Sequence, residues 1–123
     1  MGYNILIVDD SSVMRKIIIR NLNQSGIRAD QEFEAGDGYE ALNVCSKQTV
    51  HLILSDINMP NMDGITFIKE VRSRPELNHV KIIMITTEAG VEAVQNAINA
   101  GANGYIIKPF SPEQIAEKIK SVM

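Results

Sequence analysis

The stretch LILSDINMPNMDG, residues 52–64, decides how this chain is read. An unbroken apolar run without polar alternation suits a strand covered on both faces, as in a parallel sheet. The run ends on a carboxylate, Asp56, and a turn-rich loop follows with Asn58, Pro60 and the pair Asp63-Gly64. Immediately beyond, GITFIKEVRS (64–73) places Ile65, Ile68 and Val71 on one helical face. A buried strand, an acidic turn and an amphipathic helix make one unit of an α/β fold.

The same unit recurs in both directions. Before it, NILIV (4–8) reads as a strand, and from Ser12 the residues Val13, Met14, Ile17, Ile18 and Leu22 recur at helical spacing until Gly26. ADQEFE (29–34) is a weaker strand, and GDGYEALNVCSK (36–47) opens on a turn and continues as a helix. The quoted stretch sits in a strand at 50–55. After it come a strand at 80–86, a helix at 92–101 that stops at Gly101, and a strand at 104–108. The last helix, SPEQIAEKIKSVM, has Ser111 as N-cap, Pro112 at its first position and Glu113 in its first turn. Its Ile115, Ile119 and Val122 form a stripe. Five strands alternating with five helices predict a doubly wound, five-stranded parallel sheet with right-handed crossovers.

Bulk properties narrow the function classes. The 123 residues fit one domain, 1–123. At 45% hydrophobic and 22% charged residues, the chain can build a core. A net charge of −3 and no basic stripe argue against direct nucleic-acid binding. The single cysteine, Cys45, excludes an intrachain disulfide and a cysteine-based zinc site. The start MGYNILIV lacks the basic region of a signal peptide, and its sixth residue, Leu6, does not fit a myristoylation site. No apolar run approaches a membrane span, so a soluble cytoplasmic protein without membrane contact is expected.

In open α/β sheets, ligands bind beyond the carboxyl ends of the strands. There the polar residues of this sequence collect: Asp9 and Asp10 after the first strand, Asp56 after the third, Thr86 and Thr87 at the end of the fourth, Lys108 at the end of the fifth. Taken singly, each has an ordinary explanation: an N-cap pair, a strand terminator, strand threonines, a surface lysine. Together they form a site. Crowded carboxylates repel one another, and a divalent cation relieves that. An all-oxygen set without His or Cys favours Mg²⁺. An ammonium and a hydroxyl suit phosphoryl oxygens, and a carboxylate can itself accept a phosphoryl group as an acyl phosphate. Asp56, alone on the central loop, is the best acceptor. Backbone N–H groups around Asn58 and Thr87 could cradle the oxygens.

The motifs ILIVDDSSVMRK, AGDGYEAL, LILSDINMPNMDG, IIMITTEA and GANGYIIKPF span nearly the whole chain. In this combination the chain resembles response-regulator receiver domains, and among them the single-domain chemotaxis regulators. The resemblance implies a flavodoxin-like strand order 2-1-3-4-5 and a phosphorylation switch in a two-component system. It implies that Asp56 takes its phosphoryl group from a sensor histidine kinase. Asp10, Asp56 and the backbone carbonyl of Asn58 would ligate Mg²⁺, with Asp9 helping through water. Thr86 and Lys108 would contact the phosphoryl oxygens, and Tyr105 would turn inward as Thr86 swings toward the phosphate. Asn58, Thr87 and Glu88 flank the site and would tune self-dephosphorylation. The Lys108–Pro109 bond is expected to be cis.

Such a receiver catalyses its own phosphorylation and dephosphorylation and is not a turnover enzyme. Its readout surface would be the fourth helix, fifth strand and fifth helix, with Ala89, Tyr105 and Lys118 at a flagellar motor switch protein, and a phosphatase as a further partner. The sequence departs from the chemotaxis pattern at Gly90-Val91, where lysines are usual, and at Thr87, where alanine is common. Rival readings are a stand-alone receiver of a phosphorelay or another kinase pathway, and a receiver cut from a longer DNA-binding regulator. A flavin carrier is disfavoured, since Asp9-Asp10 would repel phosphate and Trp is absent. An aspartate-based phosphatase is disfavoured because Asp56-Ile57-Asn58 lacks a second acid.

Overall fold

The computed structural model describes residues 2–87 and 91–123. Its elements are β1 (Tyr3–Val8), α1 (Ser12–Ser25), β2 (Ala29–Ala35), α2 (Gly38–Lys47), β3 (Leu52–Asp56), α3 (Gly64–Arg72), β4 (Lys81–Thr86), α4 (Val91–Ala100), β5 (Gly104–Ile107) and α5 (Pro112–Val122). The strands form one parallel sheet in the order β2-β1-β3-β4-β5. That is the doubly wound architecture and strand order expected.

Both faces of the sheet are buried, which explains the unbroken apolar strands. Successive residues point to opposite faces. Ile5, Ile7, Leu52 and Leu54 pack under α1 and α5, against Ile18, Leu22, Ile115 and Ile119. Leu6, Val8, Ile53 and Met84 pack under the other helices, against Leu42, Phe67, Ile68 and Val71. Each fully buried side chain of this size contributes about 1.5–3 kcal/mol relative to exposure. β2 is the weaker strand because it lies at the sheet edge, with Asp30 and Gln31 exposed.

Local chemistry sets the helix ends. Ser11, Asp37, Asp63 and Ser111 accept N-terminal backbone N–H groups of α1, α2, α3 and α5. Ser111 and Gln114 complete a capping box, with Pro112 just inside. Gly26 ends α1 at φ +83, in the left-handed region.

Three expectations change. Val13 and Ile17 share the helical spacing of Ile18 and Leu22, yet they are 68% and 37% exposed. They form a second stripe on the outer side of α1. β3 begins at Leu52 rather than at residue 50, because Val50 and His51 belong to the connection entering it. A short 3-10 turn over Pro75–Leu77, unforeseen, buries Leu77 between α3 and β4.

Candidate functional site

Sheet register assembles the site. β1 and β3 run side by side with Val8 opposite Ser55, so the next residues, Asp9 and Asp56, become neighbours. Thr86 pairs with Ile107, and the Lys108 N–H donates to the Thr86 carbonyl at 2.7 Å. The strand order thus brings Asp9, Asp10, Asp56, Thr86 and Lys108 to one end of the sheet.

Asp9, Asp10 and Asp56 each offer an oxygen within 4.8 Å of the others. They differ in burial. Asp9 is 2% exposed, Asp56 is half-buried and Asp10 faces solvent. The Ser11 N–H donates to Asp9 Oδ1 at 2.9 Å, while the buried Oδ2 has no hydrogen-bond partner among the described residues. Lys108 Nζ lies 3.6 Å from that Oδ2 and 4.0 Å from Asp56 Oδ1. Burial pushes the Asp56 carboxyl above the ordinary aspartate value, and the Asp9 charge adds to this. Lys108 and the N–H groups of Asn58 and Ile57 pull the other way. The Asn58 N–H donates to Asp56 Oδ1 at 3.3 Å.

An all-oxygen cluster with a buried carboxylate oxygen that accepts no hydrogen bond from the described residues fits a hard divalent cation. Among the described residues Lys108 pairs with Asp9 and Asp56, and one ammonium beside a cluster of three carboxylates leaves negative charge uncompensated at the pocket.

Gly64 shapes the loop after Asp56. Its N–H donates to the Ile57 carbonyl at 2.9 Å, and a Cβ there would lie 2.7 Å from Ile57 Cα and 2.9 Å from the Asp56 oxygen. Only glycine permits this approach. Thr86 is buried at the end of β4, and Thr87 is exposed beside it. The Lys108–Pro109 bond is cis, as expected. Tyr105 lies outside the pocket, half-buried on β5, with Lys118 Nζ 5.4 Å from its ring centroid. Both line a groove of about 320 Å³ between β5 and α5. Glu88, Ala89 and Gly90 lie outside the described residues.

One contributor escaped sequence reasoning. Arg15 Nη1 donates to the Asp9 carbonyl, and its Nε pairs with Glu34 Oε1 at 2.9 Å. Lys16 Nζ reaches the other Glu34 oxygen at 2.7 Å. The available signal was misplaced charge: two cations near the N-terminus of α1 oppose the helix dipole. Glu34 on β2 offsets that cost.

A family model described as the response regulator receiver domain matches residues 5–120. This chain belongs to the response regulator receiver family. It is 42% identical over 120 residues to a chemotaxis protein CheY homolog of Campylobacter jejuni, covering 97% of this chain and 91% of that one. It is 42% identical over 118 residues to chemotaxis protein CheY-3 of Vibrio cholerae, covering 96% and 89%. Among solved structures, Vibrio cholerae CheY4 superposes with a TM-score of 0.89 at 35% identity, covering 100% of both chains. The receiver domain of a Pseudomonas aeruginosa sensor histidine kinase, solved with a magnesium ion coordinated in its active site cleft, gives 0.85 at 29% identity, covering 99% and 98%. The receiver family serves two-component signalling and is a signalling rather than a classical enzyme family. No described helix is long and apolar enough to cross a membrane.

Proposed function

We propose that residues 1–123 act as one phosphorylation-dependent switch, with Asp56 as the phosphoacceptor. The observation that carries this reading is the cluster of Asp9, Asp10 and Asp56 oxygens within 4.8 Å, faced by Lys108. The phosphodonor is a phosphohistidine on a sensor histidine kinase. An Asp56 oxygen attacks phosphorus, the P–N bond breaks, and the electron pair leaves with the imidazole, which takes up a proton.

Asp10, Asp56 and the Asn58 carbonyl would hold Mg²⁺, with Asp9 assisting through water. Bound there, Mg²⁺ offsets the negative charge of carboxylates and phosphoryl oxygens. Lys108 neutralises further charge and follows it from Asp9 and Asp56 to the phosphoryl group. Thr86 donates its hydroxyl to a phosphoryl oxygen, and Tyr105 repacks as Thr86 moves. Asn58, Thr87 and Glu88 set how soon water removes the phosphoryl group.

Phosphorylation biases a two-state equilibrium that is read on α4, β5 and α5. The CheY relatives favour a chemotaxis output, with a flagellar motor switch protein as partner and a phosphatase to reset it. Gly90-Val91, in place of the usual lysines, favours a second reading, a receiver with another downstream protein.

The test is incubation of wild type and Asp56→Asn with acetyl phosphate, with and without Mg²⁺, read by intact mass. A Mg²⁺-dependent phosphoryl adduct on wild type alone is the expected result. An adduct on both proteins would move the acceptor elsewhere.

A further inference from the structure

The loop that carries Asn58 is held from outside by α2. Asn61 sits at φ +68, a left-handed conformation that Asn and Asp tolerate better than most residues. Its Nδ2 donates to Asp37 Oδ2 at 2.9 Å. The other carboxylate oxygen, Oδ1, accepts the Glu40 N–H at 2.9 Å and caps α2. A carboxylate only accepts, so Asn61 must present its NH₂ group. Beside this bond, the buried Met62 covers Gly38, where a Cβ would lie 2.6 Å from Met62 Sδ. One carboxylate therefore fixes both the start of α2 and the middle of the acidic loop.

We propose that Asp37 and Asn61 are positioning residues, whose hydrogen bond sets the loop conformation in which the Asn58 carbonyl serves as a cation ligand. Cation affinity and phosphoryl uptake are thereby tuned from α2, outside the pocket. The inference rests on the proposed function. Contacts behind metal ligands commonly govern affinity because they fix ligand orientation.

Reversing the polarity of the bond isolates its role. Asn61→Asp puts two carboxylates against each other. Asp37→Asn keeps a good N-cap and a neutral hydrogen bond. Asp37→Asn/Asn61→Asp restores the bond in the opposite sense at wild-type net charge. The measurements are Mg²⁺ affinity by NMR titration, acetyl phosphate uptake at saturating Mg²⁺, and thermal unfolding.

Asn61→Asp should weaken Mg²⁺ binding by about threefold to tenfold, the scale of one ordinary net hydrogen bond. The added negative charge alone would strengthen binding, so the sign separates positioning from electrostatics. The double variant should return to within about twofold of wild type. Unchanged affinity in Asn61→Asp, whether or not its unfolding temperature falls, overturns the proposal, and so does a double variant as weak as the single. If wild type takes no Mg²⁺-dependent phosphoryl group, the proposed function itself falls.

Discussion

Lys108 Nζ stands 3.6 Å from the one oxygen of Asp9 that no hydrogen bond from the described residues satisfies. Asp9 is nearly sealed from solvent, and the lysine side chain is only 16% exposed. The pair is therefore poorly screened by water or salt. Removing one partner of a buried pair costs more than the pair contributes, since it strands the other charge. Lys108→Ala should destabilise the metal-free protein by about 3 kcal/mol, measured by urea unfolding. Saturating Mg²⁺ should recover most of that loss, because the stranded carboxylate then has a cation. The variant should bind Mg²⁺ at least as tightly as wild type but lose the change at Tyr105 that the proposed phosphorylation switch requires. Normal signalling by the variant would remove Lys108 from the switch.

Asp56 carries the opposite kind of strain. Burial raises its carboxyl above the ordinary aspartate value, so the folded state holds its proton more firmly than the unfolded chain does. At neutral pH the ionised group therefore opposes folding, and this cost fades as pH falls through the raised value. Asp56→Asn should stabilise the metal-free protein at pH 7, and the gain over wild type should shrink toward pH 4. Thermal unfolding at both pH values checks this. A gain that grew on acidification would contradict the sign.

Glycine gives a control on geometry. Gly64→Ala forces a methyl against the Ile57 backbone and the Asp56 carbonyl oxygen. It should cost about 1–3 kcal/mol and slow phosphoryl uptake, since the displaced backbone carries the proposed acceptor, Asp56. Gly26→Ala meets none of the described residues within 4 Å and suffers from its φ of +83. It should cost about 1–2 kcal/mol and leave phosphoryl uptake unchanged. Unfolding and acetyl phosphate kinetics on both variants separate the two mechanisms.

These contrasts show what a linear reading reaches. Strand runs and the acids that end them are local, and a parallel sheet carries strand ends to one edge, so Asp9, Asp56, Thr86 and Lys108 could be grouped from the chain alone. Tyr105 could be placed on β5, but its contact with Lys118 needed the packed helix. Val13 and Ile17 misled because periodicity marks apolar stripes without saying which stripe meets the sheet. Arg15 with the Asp9 carbonyl, and Asn61 with Asp37, join residues 6 and 24 positions apart across element boundaries. No spacing rule reports such pairs.

Arg15 yields the last prediction. Its guanidinium links the Asp9 carbonyl to Glu34, and Lys16 closes the same carboxylate from the solvent side. The hydrogen bond from Lys16, foremost, and the pairing with Arg15 hold the Glu34 carboxyl below the ordinary glutamate value. A depressed carboxylate stabilises the fold above its unfolded value, and that contribution is lost as pH falls through the folded value. Glu34→Gln should therefore lower stability at pH 7 by about 1 kcal/mol, the scale of a partly exposed charge network. The deficit should vanish once acid has protonated Glu34 in wild type. Arg15→Lys, which keeps the charge but loses the planar fork, should weaken Mg²⁺ binding more than it lowers stability. The reason is that Arg15 also holds the backbone from which Asp9 and Asp10 project. Equal Mg²⁺ affinity in Arg15→Lys and wild type would leave Arg15 as a brace for β2 alone.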